Sequence, residues 1–191
     1  MGVQSKAAHQ QVNQTTGNFE WYTPPEIINA ARHTMCSIDL DPASCKVANQ
    51  TVRATTFYTK KENGLEQDWS GRVWINFPSG KYPSNKAWVD RLVESYMQGS
   101  VIEACCLCFS SMSEKWMQPL LPFPQCFPPR RTNYFNPEGK RISGVTKGSV
   151  ITYLGPNVNR FAWMFKDIGS IKVAYSREQP KRAPYRPTTP S

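Results

Sequence analysis

The chain has 191 residues, enough for one domain with a full hydrophobic core, and a formal net charge of +9. No apolar run approaches the roughly 20 residues that span a bilayer, and the polar, Gln-rich residues 1–17 lack the apolar centre of a secretory signal. The Lys and Arg excess favours an acidic partner such as nucleic acid, a solvated surface being the plainer alternative.

Residues 1–18 read as a flexible arm, 19–175 as one domain and 176–191 as a basic, Pro-rich tail. Thr23 is placed as an N-cap, with Pro24 at the first helical position and Glu26 completing a capping box. Ile27, Ile28, Ala30 and Ala31 then form the apolar face of a helix over 27–33. Residues 37–42 alternate as a short strand ending in acid and proline, 43–52 read as a helix, and 54–59 as a second strand.

A turn-rich loop over 60–70 leads to an apolar, β-rich run (Val73, Trp74, Ile75) that ends in Asn76-Phe77-Pro78-Ser79 and turns at Gly80. Residues 85–98 have helical periodicity, and 101–109 are a continuous apolar run like a strand buried on both faces. Strand alternation puts Cys106 and Cys108 on one face of that run and Cys105 on the other. The spacing suits buried reduced thiols in a cytoplasmic protein and not a metal site or a disulfide framework. Residues 113–121 read as a capped helix and 125–127 as an edge strand.

A basic loop follows, with Arg130, Arg131, Lys140, Arg141 and Lys147. Residues 149–154 are a strand, 157–167 a helix with Phe161, Met164 and Phe165 inward, and 169–175 the last strand. Seven strands interleaved with helices predict a three-layer α/β domain with a mostly parallel sheet. His9 and His33 have no supporting partners, and Ser110, Ser111 and Ser113 lack the context of a nucleophile. Trp88, Trp116, Phe161 and Trp163 fit a core better than a base-stacking platform.

Several segments together resemble one family, the phage-type (Dam-like) DNA N6-adenine methyltransferases. They are Glu20-Trp21-Tyr22-Thr23-Pro24, Ile38-Asp39-Leu40-Asp41-Pro42-Ala43-Ser44, Asn63-Gly64-Leu65-Glu66-Gln67-Asp68-Trp69 and Val73-Trp74-Ile75-Asn76-Phe77-Pro78, followed by Trp88-Val89. Later echoes are Trp116 and the strand at 149–155, so the likeness runs in unbroken order over about 20–173. It implies a Rossmann-like class I methyltransferase fold that binds S-adenosylmethionine over the carboxyl ends of the central strands. By the same likeness Tyr22, Thr23, Pro24, Asp39, Asp41, Pro42, Ala43 and Ser44 match donor-binding segments, and Glu62 is a candidate for the donor's ribose or adenine.

The resemblance also implies a task for Asn76. An adenine amine is a poor nucleophile because its lone pair is delocalised into the ring. The Asn76 carbonyl and the Phe77 backbone carbonyl would grip its N–H bonds, with Pro78 shaping the corner, so that alignment and preorganisation supply the rate. The family's usual Asn-Pro-Pro-Tyr is Asn-Phe-Pro-Ser here: Phe77 loses the fixed φ of proline, and Ser79 loses the ring that stacks on a flipped base. Phe77 or Tyr82 is the candidate substitute ring.

Arg130, Arg131, Lys140, Arg141, Lys147, Lys181 and Arg182 are the candidate phosphate contacts on double-stranded DNA. The expected setting is a cytoplasm, that of a host cell if the chain is phage-encoded. Two other readings stay open: an impaired relative that holds donor or DNA as a regulator or anti-restriction factor, and a methyltransferase for RNA or a protein side chain.

Overall fold

The computed structural model describes residues 21–78, 84–136, 139–141, 145 and 147–174. Its elements are α1 (Pro25–Met35), β1 (Leu40–Asp41), α2 (Lys46–Val52), β2 (Thr56–Phe57), β3 (Gly71–Ile75), α3 (Asn85–Gln98), β4 (Val101–Phe109), β5 (Gln125–Phe127), β6 (Ser149–Leu154), α4 (Val158–Phe165) and β7 (Ser170–Lys172). Short 3-10 turns occupy Gly64–Glu66 and Lys115–Leu120. One seven-stranded sheet joins the strands in the order β2-β1-β3-β4-β6-β5-β7.

Strands β1 to β4 pair in parallel, and each later pairing is antiparallel. It follows that β5 runs with β1–β4 while β6 and β7 run against them, so the sheet is mostly parallel by strand direction. Helices cover both faces. Ile28, Met35, Phe161 and Phe165 pack with Trp74, Cys105, Leu107 and Tyr153 on the α1 face, and Trp88, Leu92, Met117 and Leu120 pack with Val73, Ile75, Cys106 and Cys108 on the α3 face. Each fully buried large apolar side chain contributes about 1.5–3 kcal/mol, and the alternation along β3 and β4 directs those contributions to opposite layers. The arrangement is the three-layer, Rossmann-like α/β fold of methyltransferases. No helix among the described residues is long and apolar enough to cross a membrane.

Local chemistry explains where elements match the sequence expectation and where they depart. Ser84 accepts the Ala87 N–H and Gly99 ends α3 in the left-handed conformation at φ 88°, so both bounds of that helix agree with the expected 85–98. At α1 the expectation fails: Pro24 occupies the N-cap position without a side-chain cap, and Pro25 opens the helix. The Thr23 hydroxyl is instead taken by Asn76. The 113–121 stretch forms a 3-10 turn containing Pro119 rather than an α-helix. Strand β5 lies between β6 and β7 and not at the edge, because 170–172 pairs outside it.

Candidate active site

The order β2-β1-β3-β4 reverses direction between β1 and β3, with α2 leading back from β1 and α3 leading on from β3. Ligands of open α/β sheets bind outside the carboxyl ends of strands at such a switch point. Leu40 pairs with Val73, so the chain leaving β1 at 42–44 and the chain leaving β3 at 76–78 depart from the same edge side by side.

Asn76 is held from the α1 side. Its Nδ2 donates to the Trp21 carbonyl at 3.3 Å and to the Thr23 hydroxyl at 3.1 Å. A backbone carbonyl can only accept, so the amide orientation is fixed by chemistry and the Oδ1 atom is left to accept from elsewhere. Phe77, one residue on, turns to the other face. It is 4% exposed, and its ring meets Trp116 edge-on at 6.1 Å between centroids. That ring is therefore part of the core under α3 and presents no free face to a base. Pro78 is exposed, whereas Ser79 and Tyr82 lie outside the described residues.

The expected donor segments converge on the same place. Tyr22 lies between Trp21 and Thr23 on the strip that grips Asn76, and its hydroxyl accepts from the Cys45 thiol at 3.4 Å. Cys45 is the N-cap of α2, accepting the Ala48 N–H. Pro24 continues that strip into α1, its carbonyl accepting the Ile27 N–H at 3.1 Å. Asp41 ends β1 and is 3% exposed, with one oxygen accepting the Ala43 N–H at 3.2 Å. Burial pushes its carboxyl up to about 7, with the Ser44 hydroxyl and the Ala43 N–H opposing the shift. Ser44 Oγ is itself buried with no regular hydrogen-bond partner, lying beside that carboxylate short of ideal geometry.

Gly64 lies against Pro42 so closely that a Cβ there would stand 1.9 Å from the Pro42 carbonyl oxygen. That contact gives the Asn-Gly-Leu segment a physical role: it backs the turn after β1.

Two expected residues stand apart. Asp39 lies toward the amino end of the strand pair, accepting the Arg72 N–H at 2.8 Å and pairing with its guanidinium at 3.6 Å. Glu62 is on an exposed loop after β2, where its carboxylate takes the Thr59 N–H at 2.7 Å and hydroxyl at 2.6 Å. Those Thr59 hydrogen bonds hold the Glu62 carboxyl below its ordinary range.

The basic loop is tied to the Asn76 strip. Tyr22 exchanges both backbone hydrogen bonds with Phe135 at 2.8 and 2.9 Å, and Phe135 in turn bridges to Arg141. The Arg141 guanidinium stands 5.6 Å from the Phe135 ring centroid. Arg130, Arg131, Lys140, Arg141 and Lys147 are all exposed, while Lys181 and Arg182 lie outside the described residues. The Tyr134 hydroxyl, hydrogen-bonded to Ser149 at 2.9 Å, anchors the loop from within.

Sequence reasoning missed the Trp21 carbonyl, which no side-chain motif reveals, and Cys45, since cysteine is a weak capping signal. Two surface cavities, of about 440 Å³ beside Phe123 and Val173 and about 360 Å³ beside Asp39 and Thr56, lie away from Asn76. Hydrogen-bond geometry, not cavity size, marks the site.

Comparison with curated proteins finds no match, and neither does comparison with solved structures. A family model described as DNA N-6-adenine-methyltransferase (Dam) matches residues 10–122, more than half of the chain. The match stops before β5 and so covers the parallel strands, the switch point and Asn76, short of the later echoes read at 149–155. On that match the chain belongs to the Dam family of DNA N-6-adenine-methyltransferases.

Proposed function

We propose that the chain methylates N6 of adenine in double-stranded DNA, with S-adenosylmethionine as donor and the target base flipped into the site. The observation that carries this reading is the Asn76 amide, whose N–H bonds are spent on Trp21 and Thr23 so that its carbonyl is the atom left to accept. Such an acceptor can take a hydrogen bond from an amine N–H.

The residues at the end of β1 fit the donor: a buried carboxyl at Asp41 and a buried, incompletely partnered hydroxyl at Ser44 await polar company. Asp41, Pro42, Ala43, Ser44, Tyr22, Thr23 and Pro24 would hold it, with Glu62 at the rim beyond β2. When bound, the donor supplies an electrophilic methyl group on a sulfonium.

Asn76 Oδ1 and the Phe77 carbonyl accept the two amine N–H bonds and orient the nitrogen lone pair. Held this way, the nitrogen would face the donor's methyl group, and the amine would give up one proton to water on methylation. Phe77 lacks the ring constraint of a proline, but its burial against Trp116 restrains the same backbone by packing. The exposed cations of the basic loop contact phosphates.

A second reading, a relative that binds donor or DNA without turnover, is supported by Ser79 standing where the family places a ring. One assay separates them: the purified chain, labelled donor and unmethylated DNA of mixed sequence. Label in adenine N6 is expected. Donor and DNA binding without label would leave the regulator reading, and label confined to RNA or protein would refute the DNA substrate.

A further inference from the structure

We propose that Trp21 supplies the aromatic face for the target base, replacing the ring that the sequence lacks at Ser79. The inference rests on the methyltransferase reading and adds a residue to it. Strand alternation decides which side the base must take. Ile75 and Phe77 point into the core under α3, so Asn76 between them points to the α1 side. A base whose amine meets Asn76 Oδ1 is on that side too, where a buried Phe77 ring cannot reach it.

Trp21, Tyr22 and Trp116 are partly exposed aromatic residues adjoining the motif among the described residues, and the Tyr22 hydroxyl is engaged by Cys45 at the start of α2. Trp116 lies against the Phe77 ring on the α3 side. Trp21 lies on the amide's own side, and its carbonyl holds the Asn76 nitrogen at 3.3 Å. The Trp21 indole is braced and not loose: it meets Phe109 at 6.0 Å in a T-shaped contact and Tyr134 at 5.4 Å in a tilted one. Phe109 ends β4, the next strand over, and Tyr134 is anchored through Ser149. The same residue thus fixes the amide through its backbone and keeps part of its side chain exposed beside it. An exposed remainder on a braced ring is the form of a stacking surface, whereas a purely structural tryptophan at this position would gain from full burial.

Stacking depends on a base and phosphate contacts do not, so the test compares single-stranded oligo(dA) with an abasic oligomer of equal length, using the full chain and sinefungin as a non-transferable donor analogue. The unaltered chain is expected to prefer oligo(dA) by about tenfold, within the range of one stacked base. Trp21→Leu should abolish that preference while sinefungin still binds, read at a temperature where the variant remains folded, and Trp21→Phe should keep most of it. Photo-crosslinking of the unaltered chain to oligo(dA) should mark Trp21, which keeps the proposal testable if the Leu variant does not fold. A preference that survives in Trp21→Leu, or a crosslink to another aromatic instead, overturns the assignment while leaving DNA binding intact. Equal binding of the two oligomers by the unaltered chain overturns it as well. Failure of the unaltered chain to bind either oligomer overturns this inference, while the labelled-donor assay on duplex DNA decides the methyltransferase reading separately.

Discussion

Asp39, just before β1, and Asp41, at its end, are two residues apart, yet the two ends of the β1–β3 pair treat them in opposite ways. Toward the amino end, Asp39 is part-exposed and fully engaged by the Arg72 N–H and guanidinium. Gly71, at φ 75°, makes that possible, since a Cβ there would stand 2.6 Å from the Asp39 carboxylate. At the carboxyl end, Asp41 is buried without a cation, beside a hydroxyl that also lacks a regular partner. One acid joins two strands. The other is held in a buried environment that raises its pKa. Two residues along a strand, about 6.6 Å, are enough to separate the roles.

The sharpest way to break this contrast is at Asn76. Asn76→Ala removes the acceptor for the amine and should lower kcat by about 10²–10³, the cost of one oriented transition-state contact. Donor affinity should stay within a few-fold, since donor residues come mainly from the β1 side. Asn76→Asp should be no better, because a carboxylate oxygen would then face the Trp21 carbonyl that now receives the amide N–H. Single-turnover methylation kinetics measure both. Near-normal kcat in Asn76→Asp would show that the hold on the amide does not matter.

The two aspartates come next, and their signs differ. Asp41 has a folded pKa of about 7 against an ordinary 3.8. Its favourable protonated burial is fully present below about pH 4 and is lost as pH rises through about 7, at most about 4 kcal/mol in all. The donor-free chain should therefore melt higher at pH 5 than at pH 8, and Asp41→Asn should flatten that dependence and raise the melting temperature at pH 8. The same variant should bind donor more weakly, a gain in stability at the cost of function. Asp39→Asn should instead lower stability. Loss of a part-exposed ion pair costs about 1 kcal/mol, or about 2–4 °C, at neutral pH. Its donor affinity should move by less than about twofold, since its carboxylate is already spent on Arg72. Thermal scans at the two pH values, paired with calorimetric donor titration, check both variants. Equal effects on donor affinity would erase the distinction between the ends.

How far the sequence could show this depended on how local the cause was. Helix α3 and strands β4 and β6 were legible to the residue, because Ser84, Gly99 and bounded apolar runs set them locally. Strands β1 and β2 shrink to two residues each, since their extent is set by neighbours in the sheet and not by their own alternation. Thr23 had every local sign of a helix cap, and a partner 53 residues away claimed its hydroxyl. Asn76 was legible as an amide at a strand end, but the direction of that amide depended on a backbone carbonyl with no sequence signature. Asp39 and Asp41 were indistinguishable for the same reason: register, not residue type, decides which end of the sheet an acid faces.

The smallest expected effects concern the charge around the carboxyl end, and they test whether that end is the one that meets DNA. The Tyr22–Phe135–Arg141 ladder joins the basic loop to the strip that holds Asn76. Arg130→Ala and Arg141→Ala should each weaken DNA binding only a few-fold, and each should reduce the slope of log affinity against log salt by about one phosphate contact. Lys166→Ala is the control: its ammonium, at the C-terminal end of α4, stands 3.7 Å from the exposed Trp163 ring centroid and belongs to neither bridge of the ladder. Salt titrations of all three variants should show a reduced slope for the two arginines and an unchanged one for Lys166. If all three slopes fall alike, the positive charge acts as a diffuse field over the whole surface. The carboxyl end would then keep its amide and its acid but lose its claim to be the DNA-facing edge.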